Sequence, residues 1–342
     1  MSAELSVFLK RLSEAETLSR AEAREAMDTI MRGEATPAQI GAFLMGLRQR
    51  GETPEEVAGA AESMRSHATR LPVQCHPLID TCGTGGDGAG TFNISTAAAF
   101  VVGGAGVHVA KHGNRSISSA CGSADVLEAL GARINLSPEA TAECLETTHV
   151  GFMFAPFYHP AAKHAAGPRR ELAIRTLFNL LGPLCNPAPV THQVMGIFSE
   201  RLLETAGQVL GLLGHQGAMV VHGDGGLDEI ALSGPTHYVE WKQGQLRRGR
   251  VTPEELGIAA APIETLQGGD AETNAEIVRQ ILKGTPGPPA DVVVLNAGAC
   301  LYITDRASSL KEGVAQAREV ISSGRAQTCL EDFVGFTQRV SP

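Results

Sequence analysis

The chain has 342 residues, 43% of them hydrophobic and 19% charged, enough to bury a large core in one or two globular domains. Its formal net charge of −9 argues against a general nucleic-acid-binding role, so any phosphate site has to be built locally against the overall charge. The seven cysteines are scattered and form no CxxC pair, which speaks against a zinc site or disulfide framework and for reduced, buried thiols. The opening MSAELSVFLKRLSEAETLS lacks the basic start and apolar run of a signal peptide. No apolar stretch reaches the ~18 residues of a membrane helix. The expected location is therefore the cytoplasm, with no membrane partner.

In chain order, residues 1–72 read as a small all-helical N-terminal domain. Leu5, Phe8, Leu9 and Leu12 recur at helical spacing. Ser19 with Glu22 makes a capping-box pattern that opens a helix to about Arg32, stopped at Gly33. Thr36-Pro37 and Thr53-Pro54 repeat the start signal, with Gly51 as the stop between them. The apolar faces of these helices are covered either by the rest of the chain or by a second copy of it.

From residue 73 short β-rich runs alternate with helices, which indicates a large α/β domain, 73–342, whose central, mostly parallel sheet is flanked by helices. Strands are predicted at 78–80, 107–109, 133–136, 150–153, 193–198, 218–222, 236–240 and 291–295. Helices are predicted at 96–103, 124–130, 200–213, 271–283 and 310–323. A basic helical segment at about 160–184, with Arg169, Arg170 and Arg175, interrupts the alternation and is expected to join the N-terminal helices.

The chemistry-bearing stretch is Asp80 to Ser123, rich in glycine and small hydroxyl residues. Glycine lets backbone N–H groups approach a ligand, and such concave sets of N–H groups ahead of a helix bind phosphate oxygens. Gly83, Gly85 and Gly88 fit the G-x-G-x-x-G pattern of a dinucleotide site. That site needs an acidic residue at the end of the next strand, where this chain has Lys111, so the pattern points to a phosphate or diphosphate instead. Asn93-Ile94-Ser95-Thr96 stands at a helix start, where the hydroxyls either cap the helix or face an anion or metal-bound water. Lys111 to Ser119, KHGNRSISS, lies where open α/β sheets bind ligands. Asp228-Glu229 is a paired carboxylate in a glycine-rich loop after a strand; taken alone it reads as a solvated turn, but beside a diphosphate site it becomes a candidate Mg²⁺ pair.

Together GTGGDGAGTFNIST, VAKHGNRSISS, GSADVLEALG, FMFAPFYHPA, PRRELAIRTLFNLLGPLCNP and GLDEI resemble, in order and over nearly the whole chain, the anthranilate phosphoribosyltransferases of tryptophan biosynthesis. The resemblance implies a helical domain joined to an α/β domain, a homodimer paired through the helical domains, and no nucleic-acid partner. It implies transfer of phosphoribose from 5-phosphoribosyl 1-pyrophosphate (PRPP) to the amine of anthranilate with Mg²⁺, two ions per site. By motif, Gly83, Gly86, Asp87, Thr91, Asn93, Ile94, Ser95 and Thr96 would hold PRPP, with Lys111, His112, Gly113, Asn114, Arg115, Ser116, Ile117, Ser118, Ser119 and Ser123. Lys111 would also stabilise the leaving group, with no residue acting as general acid or base. Ser95, Asp228 and Glu229 would hold the metal. Gly83, Asn114 and Arg169 would contact anthranilate, with His112, Tyr158 and His159 lining its channel. Ala173, where the family more often has Gly, and Cys185 are local departures that remove no polar ligand. A pyrimidine nucleoside phosphorylase shares the architecture and is the enzymatic alternative; it would use free phosphate and need no Asp-Glu pair. A nucleic-acid-binding relative that kept the fold alone would show basic grooves and eroded motifs, unlike this acidic chain.

Overall fold

The computed structural model describes residues 5–115 and 120–340. Its helices are α1 (Leu5–Ser13), α2 (Arg20–Met31), α3 (Pro37–Arg50), α4 (Pro54–Ser66), α5 (Ile94–Gly104), α6 (Ser123–Ala129), α7 (Pro138–Thr148) and α8 (Ala155–Tyr158). They continue with α9 (Lys163–Leu172), α10 (Phe178–Leu184), α11 (Leu203–Leu212), α12 (Ala271–Leu282), α13 (Pro288–Ile303), α14 (Leu310–Ser322) and α15 (Arg325–Arg339). The strands are β1 (Leu78–Gly83), β2 (His108–Gly113), β3 (Val150–Phe154), β4 (His192–Gly196), β5 (Gly217–Gly223), β6 (Thr236–Lys242) and β7 (Gln245–Val251).

The N-terminal start signals work as local chemistry. Ser19, Thr36 and Thr53 each accept from the amide three residues on, while Glu22, Gln39 and Glu56 reach back to the cap's own N–H. Between α2 and α4 the backbones come close because Gly59 carries no side chain. A Cβ there would lie 2.2 Å from the Arg20 carbonyl oxygen. α9 packs on α2 and α3, and α10 packs on α4. Ala165, Leu177, Phe178 and Leu181 share one apolar cluster with the first four helices.

The sheet order is β3-β2-β1-β4-β5-β6-β7. The first five strands run parallel and the last two antiparallel. Side chains alternate across it with period two, as a sheet buried on both faces requires. Val194, Met219 and Val221 join the cluster formed by α5 and α12 to α15. Met195, Ala218 and Val220 face the cluster that holds α1 to α4, α10 and α11. Among the described residues no helix is long and apolar enough to cross a membrane.

Two expected strands are absent. Residues 133–136 are irregular: Arg133 N donates to Thr337 Oγ1 at 3.1 Å and its guanidinium to Val340 O at 2.8 Å, so the end of α15 satisfies the groups a sheet neighbour would have used. Residues 291–295 lie in α13, whose Val292, Val293, Val294 and Leu295 are all buried. A helix enclosed on every side has no amphipathic period, and its β-branched run mimics a strand. Four elements were not anticipated: α7, α8, β7 and α15. β7 carries Arg247, Arg248 and Arg250 on the sheet's edge, where charge keeps the open ladder from pairing further. α15 covers α5, with Phe333 edge-on to Phe100 at 5.5 Å between centroids.

Gly59→Ala is expected to lower the unfolding free energy by about 3 kcal/mol, since the added methyl meets backbone that cannot turn aside. Chemical denaturation of the two proteins checks this, and an unchanged midpoint would mean that α2 and α4 separate freely.

Candidate active site

Three neighbouring strands, β1, β4 and β5, end in glycine at Gly83, Gly196 and Gly223. A loop running from β5 toward β6 drapes over all three ends. A Cβ on Gly196 would sit 1.5 Å from the Asp228 carbonyl oxygen, one on Gly83 2.3 Å from Asp228 Oδ2, and one on Gly223 2.5 Å from the Glu229 carbonyl oxygen. The absence of side chains at the strand ends thus seats the acidic pair on the sheet.

Gly85 N donates to Asp228 Oδ2 at 2.5 Å, and Asp228 N reaches Asp87 Oδ2 at 3.5 Å. Burial, then the Asp87 charge, pushes the Asp228 carboxyl up to about 7. Glu229 Oε1 accepts from Ser95 N at 3.2 Å. Burial and then Asp228 push Glu229 up to about 8, with Lys111 and Ser95 pulling the other way. This is an excess of negative charge in an all-oxygen donor set, the kind a hard cation such as Mg²⁺ takes. Among the described residues no group of three or more His, Cys, Asp or Glu side chains forms a closed metal site. A cation held by Asp228, Glu229 and the Ser95 hydroxyl would have to complete its shell from ligand or water, as Mg²⁺ does with phosphates.

The counter-charge is Lys111, at the end of β2 and 3% exposed. Its Nζ donates to Thr81 O at 2.7 Å and to Ser95 Oγ at 3.3 Å. Beneath it Asp80 is fully buried and accepts from Asn186 Nδ2 at 2.8 Å. Burial raises Asp80 to about 6, against the pull of Lys111 and Asn186. Cys82 is no nucleophile, because burial and the nearby Asp80 drive its thiol far above the ordinary range.

Beside this cluster opens a cavity of about 310 Å³. Gly86, Asp87, Gly88, Gly90 and Thr91 line one side, Ala120 and Cys121 another, and Gly268, Gly269 and Asn274 the third. Asn93 precedes α5 without capping it: its Nδ2 donates to Cys121 O at 3.2 Å and its Oδ1 accepts from Asn274 at 3.0 Å. The side chains of Ile94 and Thr96 are buried, and Ile94 N donates to Phe92 O at 2.8 Å. Gly113 admits Ser123, whose Oγ would lie 2.1 Å from a Cβ there. Ser123 Oγ donates to Asn114 O at 3.3 Å, and Asn114 Oδ1 accepts from Arg115 N at 2.8 Å. Arg115 turns toward α6, pairing with Asp125 at 2.8 Å and Glu128 at 2.6 Å. Ser116, Ile117, Ser118 and Ser119 lie outside the described residues.

Arg169, on α9, lies over the Phe178 ring, 4.6 Å from its centroid. Burial lowers its pKa, and no carboxylate among the described residues pairs with it or links it to the acidic cluster. The rings of His112 and His159 stand 5.0 Å apart, each with a buried, unpartnered Nε2. Burial, then His159, drives His112 down to about 3, and burial takes His159 to about 4, so both are neutral near pH 7. Tyr158 is buried in one apolar cluster with Leu71, Ala142, Leu145 and Met153.

Two family models of the glycosyl transferases match this chain: the helical bundle domain over residues 6–68 and the a/b domain over residues 75–327. The anthranilate phosphoribosyltransferase of Thioalkalivibrio sulfidiphilus is 53% identical, over 94% of this chain and 95% of that one. A crystal structure of the Thermus thermophilus enzyme of that name superposes with a TM-score of 0.92 at 47% identity, covering 96% of this chain and 99% of that one. The chain belongs to the anthranilate phosphoribosyltransferase family. The Saccharomyces cerevisiae member, solved with PRPP and Mg, superposes with a TM-score of 0.90 at 26% identity and 98% coverage of both chains. These relatives are all anthranilate phosphoribosyltransferases, which favours that reading over the pyrimidine nucleoside phosphorylase alternative.

For a member of this family, sequence reasoning missed the far wall of the cavity. Gly268-Gly269 precedes Asp270, the N-cap of α12, and signals only a helix start. Gly269 N donates to Asn274 Oδ1 at 2.7 Å within the start of α12, while Gly268 N donates to Gly90 O at 2.9 Å, a pairing between distant segments that no local motif reveals. Gly196 and Asn186 were missed for the same reason.

The raised carboxyl of Glu229 carries a pH dependence. A group lifted from 4.5 to about 8 stabilises the ligand-free fold below its unfolded value, and that contribution is lost as pH rises through about 8. Glu229→Gln removes the charge but keeps an acceptor for Ser95 N. Its ligand-free melting temperature is expected to exceed the parent's at pH 8.5 and to converge with it near pH 4.5; thermal melts across that range would refute the shift if the difference were constant.

Proposed function

We propose that the chain transfers the phosphoribosyl group of PRPP to the amine of anthranilate, releasing pyrophosphate and N-(5-phosphoribosyl)anthranilate, the second step of tryptophan biosynthesis from chorismate. The observation that carries this reading is the meeting, at the ends of β1, β2, β4 and β5, of a glycine-rich loop, a buried lysine and a seated acidic pair. The loop from Gly83 through Asp87 and Thr91, the first turn of α5 at Asn93 to Thr96, and the turn from Lys111 through Ser123 cradle PRPP. Asp228, Glu229 and the Ser95 hydroxyl would hold Mg²⁺, two ions per site with the diphosphate supplying further oxygens. Bound there, Mg²⁺ offsets the negative charge that gathers on the departing diphosphate. Lys111, already fixed by Thr81 and Ser95, adds a preorganised positive charge that needs no rearrangement as the bond to C1 breaks.

Anthranilate enters between α9 and the end of β2. Arg169 offers its carboxylate two parallel hydrogen bonds, with Gly83 and Asn114 completing the subsite and the neutral His112 and His159 lining the approach. The aromatic amine is nucleophilic without deprotonation, so the site works by positioning and electrostatics, with no general base. We take residues 1–72 with about 160–184 as the helical domain. Two copies pair through it, where Val7 and Met45 are exposed apolar side chains. The seven cysteines are free, in keeping with the cytoplasm.

Loss of anthranilate fluorescence on adding PRPP, dependent on Mg²⁺, tests the reaction; turnover of thymidine with phosphate in its place would overturn it. The double variant Asp228→Asn with Glu229→Gln is expected to lose Mg²⁺-dependent kcat by about 10²-fold or more with the fold intact. Unchanged kinetics would remove the metal from this pair. Arg169→Ala is expected to raise the anthranilate KM about 10–100-fold, the loss of a charge-assisted bond, and to leave the PRPP KM near the parent's. An equal rise in both would place Arg169 away from the carboxylate.

A further inference from the structure

Arg175 follows α9 and belongs to none of the contacts assigned above. Through Nη2 it donates to the carbonyl oxygen of Gly86, and its guanidinium carbon lies 4.0 Å from the centroid of the Phe198 ring. An exposed arginine that merely brushed a carbonyl would wander among rotamers; stacking on an aromatic face holds the planar guanidinium in one orientation. Phe198 is itself tied to the glycine loop, with its N–H donating to Thr84 Oγ1 at 3.1 Å, and Thr84 N donates to Gly196 O at 3.0 Å. On the other flank, Gly85 N ends on Asp228 Oδ2. Gly86, at φ 73°, thus has its carbonyl turned onto the Arg175 side chain, and further along the loop the Ala89 carbonyl accepts from Gln267 Nε2 at 3.2 Å.

The consequence follows from the peptide bond. A trans peptide holds its C=O and the next N–H on opposite sides, so a Gly86 carbonyl turned to Arg175 aims the Asp87 N–H away from it. That N–H donates no hydrogen bond among the described residues. Gly86, Asp87 and Gly88 line the cavity, and Arg175 does not.

We propose that Arg175 is a positioning residue: by holding the Gly86 carbonyl it orients one peptide of the glycine loop and presents the Asp87 N–H to the diphosphate of PRPP. This rests on the functional reading above, and it joins that loop to the segment carrying Arg169, so one short stretch of chain serves both substrates. A peptide free to flip would offer the diphosphate a carbonyl oxygen about as often as an N–H, and an anion repels the former.

The test uses the full chain, with KM for each substrate, the PRPP dissociation constant by calorimetry in Mg²⁺, and the melting temperature. Arg175→Ala is expected to weaken PRPP about tenfold by both measures, with the anthranilate KM and melting temperature near the parent's. Arg175→Gln keeps an N–H donor for the carbonyl without the charge, and is expected to recover most of the loss. Phe198→Leu removes the stack and is expected to reproduce part of it. Unchanged PRPP affinity in Arg175→Ala overturns the proposal. So does an equal loss for both substrates with a lowered melting temperature, which is a general structural role. So does Arg175→Gln as weak as Ala, which assigns the effect to charge on the substrate. A parent protein that binds PRPP but leaves anthranilate unconsumed sinks the reaction assigned above, while the calorimetric comparison still decides the role of Arg175.

Discussion

The site depends on one steric arrangement: an acidic loop lying directly on the ends of three parallel strands. Gly83 and Gly196 are register partners on β1 and β4, and Gly223 ends the neighbouring β5. Any Cβ at these positions would meet Asp228 or Glu229 at 2.5 Å or less. Real Cβ atoms do not approach that closely, so a side chain on a strand end would lift the loop off the sheet. The parallel topology supplies the rest. Strands entering side by side deliver the glycine-rich loop, Lys111 and the acidic loop to the same edge, where open α/β sheets place their ligands.

The electrostatics follow from that seating. Asp228 and Glu229 are adjacent in the chain, Asp228 also presses against Asp87, and low local dielectric magnifies the repulsion. Lys111 offsets part of it from the far side of Ser95, while its own neighbour Asp80 shares its charge from below. The result is a cluster poised between too much negative charge when empty and balance when a divalent cation arrives. In the proposed site a chain of net charge −9 would bind a polyanion because the attraction is local: N–H groups of the glycine loop, one buried ammonium and a metal to neutralise the acids.

How far the sequence reached is decided by the range of each signal. Capping boxes act within four residues, so α2, α3 and α4 were legible from Ser19, Thr36 and Thr53. The glycine loop and Lys111 were legible because a diphosphate site and a dinucleotide site differ in one residue at the end of β2. The Asp228-Glu229 pair could be named but not placed, since its seat is made by Gly83, Gly196 and Gly223, which are remote in the chain. Gly268, Gly269 and Asn274 reach the cavity only through contacts across the fold. α13 was misread because burial on every side erases the period that tells a helix from a strand. The hydroxyls at the start of α5 read either as caps or as facing an anion or metal-bound water; Ser95 lies within the helix, bonded through its N–H to Glu229 and through its hydroxyl to Lys111.

Arg115 is the one basic residue of the PRPP motif whose charge is already taken, by Asp125 and Glu128 on α6. Magnitudes decide whether this argues against a role at the substrate. The guanidinium is 48% exposed, and exposed ion pairs contribute about 0–1 kcal/mol because water and salt screen them. A dianionic phosphate with matching geometry offers a charge-assisted bond of about 1.5–3 kcal/mol. The exchange is therefore favourable even with two carboxylates left behind, since both stay partly solvated and lose little by standing alone. Lys111 is the contrast. Buried and already bonded to Thr81 and Ser95, it acts from where it stands. In the proposed site the two cations would thus divide the work by burial: Lys111 as a fixed charge built into the sheet, and Arg115 as one recruited from the surface.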